Sequence, residues 1–280
     1  MRVGVTVGVV GALGAGALWF GASAVTGVGS KAPAPQAAGT KKVTLPPANA
    51  PFDYQIGGAY KPAAGVKVVV RDRSDSPAAG LYNICYVNAF QAQPEELSWW
   101  KSKHNDLLLK DAQGRNVVDG GWDEALLDIS TTGKRKRLAA IVGGWIDGCA
   151  KSGFKGVEPD NFDSYDRSGG RLTKSHASAF AKLLAERAHA KGLAIAQKNT
   201  ADLLTESKRN GFDFAVAEEC GRWNECDDYT ARYGDRVFVI EYRKQDFSRA
   251  CSTWGGKLSI VQRDLQVHEP TESGYVRKAC

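Results

Sequence analysis

From residue 51 onward the chain alternates between short apolar runs and segments with helical periodicity. Several of the runs are almost entirely apolar and β-branched, which is typical of parallel strands that are buried on both faces. The pattern therefore predicts eight strands: FDYQIGG (52–58), VKVVVRD (66–72), YNICYVNA (82–89), FKGVEPDN (154–161), LAIAQKN (193–199), FDFAVAEE (212–219), RVFVIEY (236–242) and LSIVQRD (258–264). The segments LLLKD (107–111) and LLDIS (126–130) predict either a strand pair in an excursion or one more strand of the main sheet.

The segments between the later strands have the spacing of amphipathic helices. Residues 175–191 place an apolar face on one side, with Ser175 as the expected N-cap and Gly192 as the C-terminal cap. The segments ADLLTESKRN and ECDDYTARY also end at glycines, Gly211 and Gly234. Strands that alternate with helices predict a closed (β/α)₈ barrel.

An open, doubly wound sheet is the alternative to the barrel. Such a sheet usually carries a glycine-rich phosphate turn after its first strand, and this sequence has none there. The segment RSDSPAAGL (73–81) is too short for an ordinary barrel helix, so we expect one helix to be missing or shortened.

Polar or charged residues follow nearly every predicted strand. In a parallel barrel the carboxyl ends of all strands lie on one rim, where barrel enzymes place their chemistry. These residues therefore predict a functional rim: Asp72, Asn88, Asp160, Asn161, Lys198, Asn199, Glu218, Glu219, Glu241, Tyr242, Arg263 and Asp264.

Carboxylates are concentrated in two of these strand ends. In GVEPDN, Glu158 and Asp160 share one strand face, which places Asp160 at the barrel mouth and Glu158 one layer deeper, within reach of Lys198. In FAVAEEC, Glu218 and Glu219 point to opposite faces. The residues before them are apolar on both faces, so alternation alone leaves open which of the two faces the pocket.

Two carboxyl groups at different rim positions suit glycoside hydrolysis, in which one acts as nucleophile or base and the other as proton donor. Aromatic side chains that could stack on a sugar are also present, although each is as well explained by packing. They are Trp99, Trp100, Trp122, Tyr165, Trp223 and Tyr242. The chain has no G-x-S-x-G elbow, so serine esterase chemistry has no support.

The N-terminal fifty residues have a different composition. Residues 3–25 carry no charge, and ASA at 22–24 resembles a signal-peptidase site, so residues 1–24 predict a signal peptide. The run is also near the length of a membrane anchor, but its Gly and Ala content favours cleavage and secretion. Residues 25–50 predict a disordered Ala/Pro/Gly-rich linker, and residues 51–280 the catalytic domain.

The net charge of +6 is modest, and part of it lies in GKRKR (133–137), which is typical of a solvated helix start. No basic stretch interleaved with aromatic residues predicts nucleic-acid binding. The sequence also predicts no cofactor, and it does not determine an oligomeric state.

Six cysteines in an exported chain predict three disulfides, and the four histidines show no zinc-finger spacing, so no metal site is predicted. If Tyr86 points into the barrel, Cys85 points outward, toward the helix that carries Cys149. The predicted pairs are Cys85–Cys149, Cys220–Cys226 across a short loop, and by elimination Cys251–Cys280.

Several blocks together resemble the endo-α-1,4-polygalactosaminidase family, glycoside hydrolase family 114. In chain order they are YNICYVNAFQAQPEE, LLDIS, GFKGVEPDNFDSY, GLAIAQKN, GFDFAVAEEC and VFVIEY, and the similarity extends from about Phe52 to Cys280. The EPDN and QKN blocks are the most specific.

The resemblance implies a (β/α)₈ barrel that cleaves α-1,4-linked galactosamine polymers, with Asp160 and Glu218 as the catalytic pair. Many members have Asn-Glu-Gln-Cys at residues 217–220, which favours Glu218 over Glu219. We expect eight further residues to contact the substrate or support those that do: Asp72, Tyr86, Glu158, Asn161, Lys198, Asn199, Glu241 and Tyr242.

An acidic mouth would attract such a cationic polymer. The other functions that remain open are an inactive barrel that binds an extracellular polysaccharide and a glycosidase of different specificity.

Overall fold

The computed structural model describes residues 42–280, and the predicted signal peptide lies outside that range. The main sheet begins with three parallel strands, β1 (Phe52–Gln55), β2 (Val68–Asp72) and β3 (Tyr82–Asn88). An excursion follows, with β4 (Gln91–Ala92), a 3₁₀ turn (Pro94–Glu96), α1 (Leu97–His104), a second 3₁₀ turn (Asn105–Leu107), β5 (Val118–Asp119) and β6 (Glu124–Leu126).

The three short strands of the excursion form their own antiparallel sheet in the order β4-β6-β5. The segments LLLKD and LLDIS meet there through an antiparallel bridge between Leu108 and Leu127. Of the two predictions for this region, the strand pair in an excursion is therefore confirmed.

The second half of the chain repeats the strand–helix unit. It contains α2 (Thr132–Ser152), β7 (Gly156–Asp160), α3 (Lys174–Lys191), β8 (Ala194–Lys198), a 3₁₀ helix (Ala201–Glu206), α4 (Ser207–Asn210), β9 (Phe214–Glu218), α5 (Cys220–Trp223), α6 (Cys226–Tyr233), β10 (Val237–Glu241), α7 (Lys244–Trp254), β11 (Ser259–Arg263) and β12 (Arg277–Ala279). All eight predicted strands are confirmed. Helix α3 is capped by Thr173, whose hydroxyl accepts from the His176 N–H, so the predicted N-cap at Ser175 was wrong.

The main sheet has the order β1-β2-β3-β7-β8-β9-β10-β11-β12. Its first eight members are parallel, and β12 pairs antiparallel with the edge of β11 that a closed barrel would present to β1. The Arg277 side chain on β12 reaches β1, where its Nη2 donates to the Phe52 carbonyl at 3.3 Å. The barrel is thus nearly closed, which confirms the predicted (β/α)₈ class.

Strand alternation sorts the apolar side chains into two cores. One lies inside the barrel and includes Tyr54, Tyr86, Val216 and Ile240. The other fills the layer between the sheet and the helices and includes Cys85, Val157, Ala217 and Val239. Strands β3, β8, β9, β10 and β11 contribute side chains to both cores, so alternate positions along them face the barrel interior and the helices.

The outer face of β1 and β2 departs from this arrangement. Neither connecting segment, 56–67 or 73–81, contains a helix, and the segment 264–276 after β11 has none either, so three barrel helices are absent where one was expected to be missing. Apart from Val69, the outward residues there are polar and buried: Arg71 Nε donates to Gln55 Oε1 at 3.0 Å, and Arg277 Nε lies 3.0 Å from Asp53 Oδ1. A hydrogen-bonded network thus covers the strands where a helix would otherwise supply apolar contacts.

The three predicted disulfides are confirmed. Cys85–Cys149 joins β3 to α2, Cys220–Cys226 joins α5 to α6, and Cys251–Cys280 holds the end of β12 against α7. The first pair follows from the outward direction of Cys85, as the alternation predicted.

Residues 42–50 belong to the folded unit, so the predicted linker boundary at residue 51 was wrong. Val43 packs against the interior core, the Asn49 N–H donates to the Asp235 carbonyl at 3.0 Å, and Ala50 is buried. The segment crosses the amino ends of several strands, where apolar contact and backbone hydrogen bonds outweigh its linker-like composition. None of the helices within residues 42–280 has the length and apolar character needed to cross a membrane.

Candidate active site

The carboxyl ends of the barrel strands surround a cavity of about 350 Å³. Its centre is formed by inward-facing side chains at the ends of β7, β9 and β3, with Asn199 and Tyr242 just beyond β8 and β10. Its lining includes six of the predicted site residues: Tyr86, Asp160, Asn161, Asn199, Glu218 and Tyr242.

Lys198 lies beneath the cavity and joins its carboxylates. Its Nζ is 2.9 Å from Glu158 Oε1, 3.1 Å from Asp160 Oδ1 and 3.4 Å from Glu218 Oε2. Both Lys198 and Glu158 are fully buried. Because one ammonium serves three carboxylates, the cluster keeps an excess of negative charge.

The pKa values follow from this arrangement. Burial raises the pKa of Glu158 to about 7, although the Lys198 ammonium opposes it. Burial would also raise the pKa of Asp160, but the Lys198 charge and the hydrogen bond from Tyr86 outweigh it and lower that pKa. Burial would lower the pKa of Lys198, yet the three carboxylates raise it well above its usual range. Asp160 is therefore held in its ionised form.

Asp160 is held by three donors. The Tyr86 hydroxyl donates to Oδ2 at 2.7 Å, while the Asn161 N–H donates to Oδ1 at 2.6 Å and Lys198 approaches the same oxygen. Asn161 has a φ of 64°, a conformation that asparagine adopts more easily than most residues. This turn aims the Asn161 N–H at the carboxylate.

Glu218 lies across the cavity and is also held from two sides. Asn199 Nδ2 donates to Glu218 Oε2 at 2.9 Å, and the Asn199 Oδ1 accepts from the Glu218 N–H at 2.8 Å. The Tyr242 hydroxyl donates to the other carboxylate oxygen, Oε1. These contacts fix the orientation of the Glu218 carboxyl group.

The structure also separates Glu218 from Glu219. Phe214 and Val216, which share the parity of Glu218, belong to the interior core, so Glu218 faces inward. Glu219 takes a φ of 58°, and its carboxylate binds the Arg222 guanidinium at 2.8 Å. The Glu219 carboxylate therefore forms an ion pair at the rim, and Glu219 does not line the cavity.

Two of the expected pocket residues lie elsewhere. Glu241 points outward, as Val239 does two residues before it on the same strand. Its Oε1 accepts from the Gly221 N–H at 2.7 Å on the helix side of the sheet, so its predicted pocket position was wrong. Asp72 faces a neighbouring depression, where it accepts from the Ser74 N–H at 2.8 Å.

Sequence reasoning also missed side chains in or beneath the cavity. Tyr54 donates to Glu158 Oε1 at 2.9 Å from β1, and the alternation of FDYQ could have placed it there. Asp119, Glu124 and Arg167 line the cavity from the excursion and from the loop after β7, where no strand period applies. No group of three or more His, Cys, Asp or Glu side chains in residues 42–280 is arranged to hold a metal ion.

The aromatic candidates divide between the cleft and the core. Trp122 is half-exposed and borders the cavity, and Trp223 is exposed on a continuation of the cleft beyond Glu218. Trp100 and Tyr165 are buried in the outer core, so packing explains them. Trp99 is exposed at a separate depression.

A family model described as glycoside-hydrolase family GH114 matches residues 32–280. The chain belongs to glycoside hydrolase family 114. It is therefore a glycoside hydrolase, as the sequence blocks indicated, and the family 114 match covers the whole barrel and the rim described above. No curated protein matches the chain in a sequence comparison.

Solved structures share the barrel of this family 114 chain. Aspergillus fumigatus Ega3, determined in complex with galactosamine, has a TM-score of 0.68 and 23% identity, and the match covers 86% of this chain and 100% of the other. The glycoside hydrolase domain of Pseudomonas aeruginosa PelA has a TM-score of 0.53 and 14% identity, with 81% and 97% coverage. At these identities the likeness supports the fold alone.

Proposed function

We propose that the protein cleaves α-1,4-linked, galactosamine-containing polysaccharide outside the cell, with Asp160 as nucleophile and Glu218 as general acid. The observation that carries the proposal is the shared ammonium of Lys198, which holds both carboxylates at one cavity. Since Lys198 Nζ lies 3.1 Å from Asp160 Oδ1 and 3.4 Å from Glu218 Oε2, those two oxygens lie within about 6.5 Å of each other.

This upper bound lies at the lower limit of the carboxyl separations of inverting enzymes, about 6.5–9.5 Å, so we propose a double displacement with retention of configuration. Asp160 attacks the anomeric carbon while Glu218 gives its proton to the departing glycosidic oxygen. The resulting glycosyl ester on Asp160 is then hydrolysed by a water whose proton passes to Glu218. Lys198 and Tyr86 keep Asp160 ionised and oriented, and Asn199 and Tyr242 orient Glu218.

The charge of the cavity supports an amino-sugar substrate. Among residues 42–280, five carboxylates line it, and the single cationic side chain in the lining, Arg167, is already paired with Asp119 and Asp163. A polymer with free amino groups carries positive charge and would be attracted to this surface. Similarity to Ega3, which binds galactosamine in its crystal structure, agrees with this choice.

The shape of the cleft supports cleavage within a chain. Beyond Glu218 the cleft continues past Trp122 and Trp223, and at Ile56 and Gly57 it borders the separate depression that contains Asp72. Sugar units can therefore extend from the catalytic centre in both directions. Three disulfides support an oxidising, extracytoplasmic location.

The test is product analysis on α-1,4-galactosamine polymers of defined acetylation, with released reducing ends measured and the first anomer identified by NMR. We expect Asp160→Asn and Glu218→Gln each to lower kcat at least about a hundredfold with unchanged folding, because each removes a reacting group. Glu219→Gln is the matched control and should remain active.

Near-normal turnover in either of the first two variants would contradict the assignment of the pair. Wild-type protein that binds the polymer without releasing reducing ends would instead favour the inactive barrel. Release from another sugar polymer alone would favour a glycosidase of different specificity.

A further inference from the structure

Glu124 differs from the other carboxylates of the cavity in its lack of a cationic partner. It is buried on β6, it lines the same cavity as Asp160 and Glu218, and within residues 42–280 no Lys, Arg or His forms an ion pair with it. Glu158, Asp160 and Glu218 share Lys198, whereas Glu124 is contacted by neutral amides. Its charge is thus left without compensation at the substrate's side of the pocket.

In the described part of the chain, Glu124 is contacted by amides and the guanidinium that lines the same cavity is already paired. Asn161 Nδ2 donates to Glu124 Oε2 at 3.2 Å, and the Gln91 amide, oriented to satisfy all its neighbours, donates to the same oxygen at 2.9 Å. The Arg167 guanidinium is held by Asp119 at 2.7 Å and by Asp163. Amides alone are a weak compensation for a buried carboxylate.

The carboxylates that face Glu124 make its ionised form still less favourable. Burial raises the pKa of Glu124 to about 7, the neighbouring amide of Asn88 opposes the rise, and the carboxylates of Asp160, Asp119 and Glu95 add to it. A cation placed in the cavity would relieve both the desolvation and the repulsion. Binding of a cation and ionisation of Glu124 should therefore support each other.

The position of Glu124 relative to Asp160 defines where that cation belongs. Asp160 attacks the anomeric carbon, and C2 of the sugar is bonded to that carbon, so its substituent lies beside Asp160. Asn161, the next residue in the chain, binds Glu124 directly. The wall of the cavity next to the attacked carbon therefore carries the unpaired carboxylate.

We infer that Glu124 binds the 2-ammonium group of the galactosamine unit in the catalytic pocket and makes the enzyme select unacetylated sugar there. The inference rests on the proposed function and adds the residue that binds the amino group of the sugar. An N-acetyl group would bring no charge to Glu124 and would place a methyl group against buried polar side chains, so it should bind poorly.

The test measures binding of galactosamine and N-acetylgalactosamine by calorimetry and, in parallel, KM and kcat on the matching oligosaccharides. For Glu124→Gln we expect the Kd of galactosamine and the KM of unacetylated oligosaccharide to rise at least about tenfold, because a buried charge pair is lost. The Kd of N-acetylgalactosamine and kcat should change by less than about threefold.

Asp123→Asn is the matched control. Asp123 is exposed, precedes Glu124 directly and does not line the cavity, so its variant should bind both sugars like the wild type. An equal loss of affinity for both sugars in Glu124→Gln, or no loss for either, would overturn the inference. A wild type that cleaves neither oligosaccharide would refute the proposed function, while the binding data would still decide the role of Glu124.

Wild-type protein supplies a second measurement if Glu124→Gln does not fold. Affinity for galactosamine should increase as the pH rises through about 7, where Glu124 ionises, up to the point at which the sugar ammonium loses its own proton. Asp160 remains ionised over that interval, because its pKa is lowered. The buried Glu158 ionises near the same pH, so Glu158→Gln is the reference and should keep the rise in affinity. An affinity that is flat between about pH 5.5 and about pH 7.5 would reject the inference.

Discussion

Replacement of Lys198 by methionine would remove the one cation that Glu158, Asp160 and Glu218 share within residues 42–280. Each contact at about 3 Å corresponds to about 5 kcal/mol of attraction at an effective dielectric constant near 20, against which the burial of the ammonium must be set. Removal of one partner from a buried pair usually costs about 3–5 kcal/mol of unfolding free energy. We expect Lys198→Met to lose stability within that range at about pH 8.

The loss should be smaller at low pH. In wild type the pKa of Glu158 is about 7 in the folded protein, above its ordinary value, and without Lys198 it rises further. A carboxyl whose pKa is raised on folding destabilises the protein increasingly as the pH rises from the unfolded to the folded pKa. At about pH 5.5 a proton on Glu158 can replace the missing ammonium charge, so part of the penalty disappears.

Activity should change in a related way. Lys198 lowers the pKa of Asp160, so in the variant that pKa rises and the acidic limb of the kcat/KM profile moves to higher pH. Urea unfolding at about pH 5.5 and about pH 8, together with pH–rate profiles, measures both effects. Lys191→Met is the matched control, because Lys191 pairs with Asp147 at 2.8 Å on the surface and should cost about 0–1 kcal/mol. A Lys198→Met protein as stable as that control, with an unmoved acidic limb, would refute the reasoning.

Two other predictions concern Glu241 and the N-terminus. Burial raises the pKa of Glu241 to about 7, so the unfolding free energy of the wild type should fall as the pH rises to that value. Glu241→Gln has no such carboxyl group and should not show this loss. In urea unfolding, its stability relative to wild type should therefore increase by about 1–3 kcal/mol between about pH 5 and about pH 8. Parallel pH dependences for the two proteins would contradict this. N-terminal sequencing of secreted material should begin near Val25, and recovery from washed membranes with Met1 intact would favour the anchor.

The strand period accounts for what the sequence could predict of the site. Glu158 and Asp160 are polar on one side of a strand whose other side holds Val157, so their shared face and their depth in the barrel followed directly. Lys198 lies at the equivalent end of the next strand and was predicted for the same reason. The cysteine pairs followed because alternation also fixes which residues face the helices.

Where both faces of a strand are apolar, the same alternation could not show which of two adjacent polar residues faces the pocket. Glu241 and Tyr242 point in opposite directions, and only the packing of Val239 and Ile240 into different cores assigns Tyr242 to the pocket. Glu124 lay beyond prediction from periodicity because it reaches the cavity through a long excursion whose path depends on tertiary contacts. The position of residues 42–50 likewise depends on the closure of the barrel rather than on their composition.

The polar outer face of β1 and β2 limits which insertions this side of the barrel can accept in related sequences. A helix docked there would bring apolar side chains against Asp53 and Arg71 and leave their charges without partners. Insertions in the segments 56–67 and 73–81 should therefore persist as polar loops. Since Ile56 and Gly57 border both the catalytic cavity and the depression at Asp72, such loops would reshape one end of the polysaccharide cleft while the strand–helix framework stays unchanged.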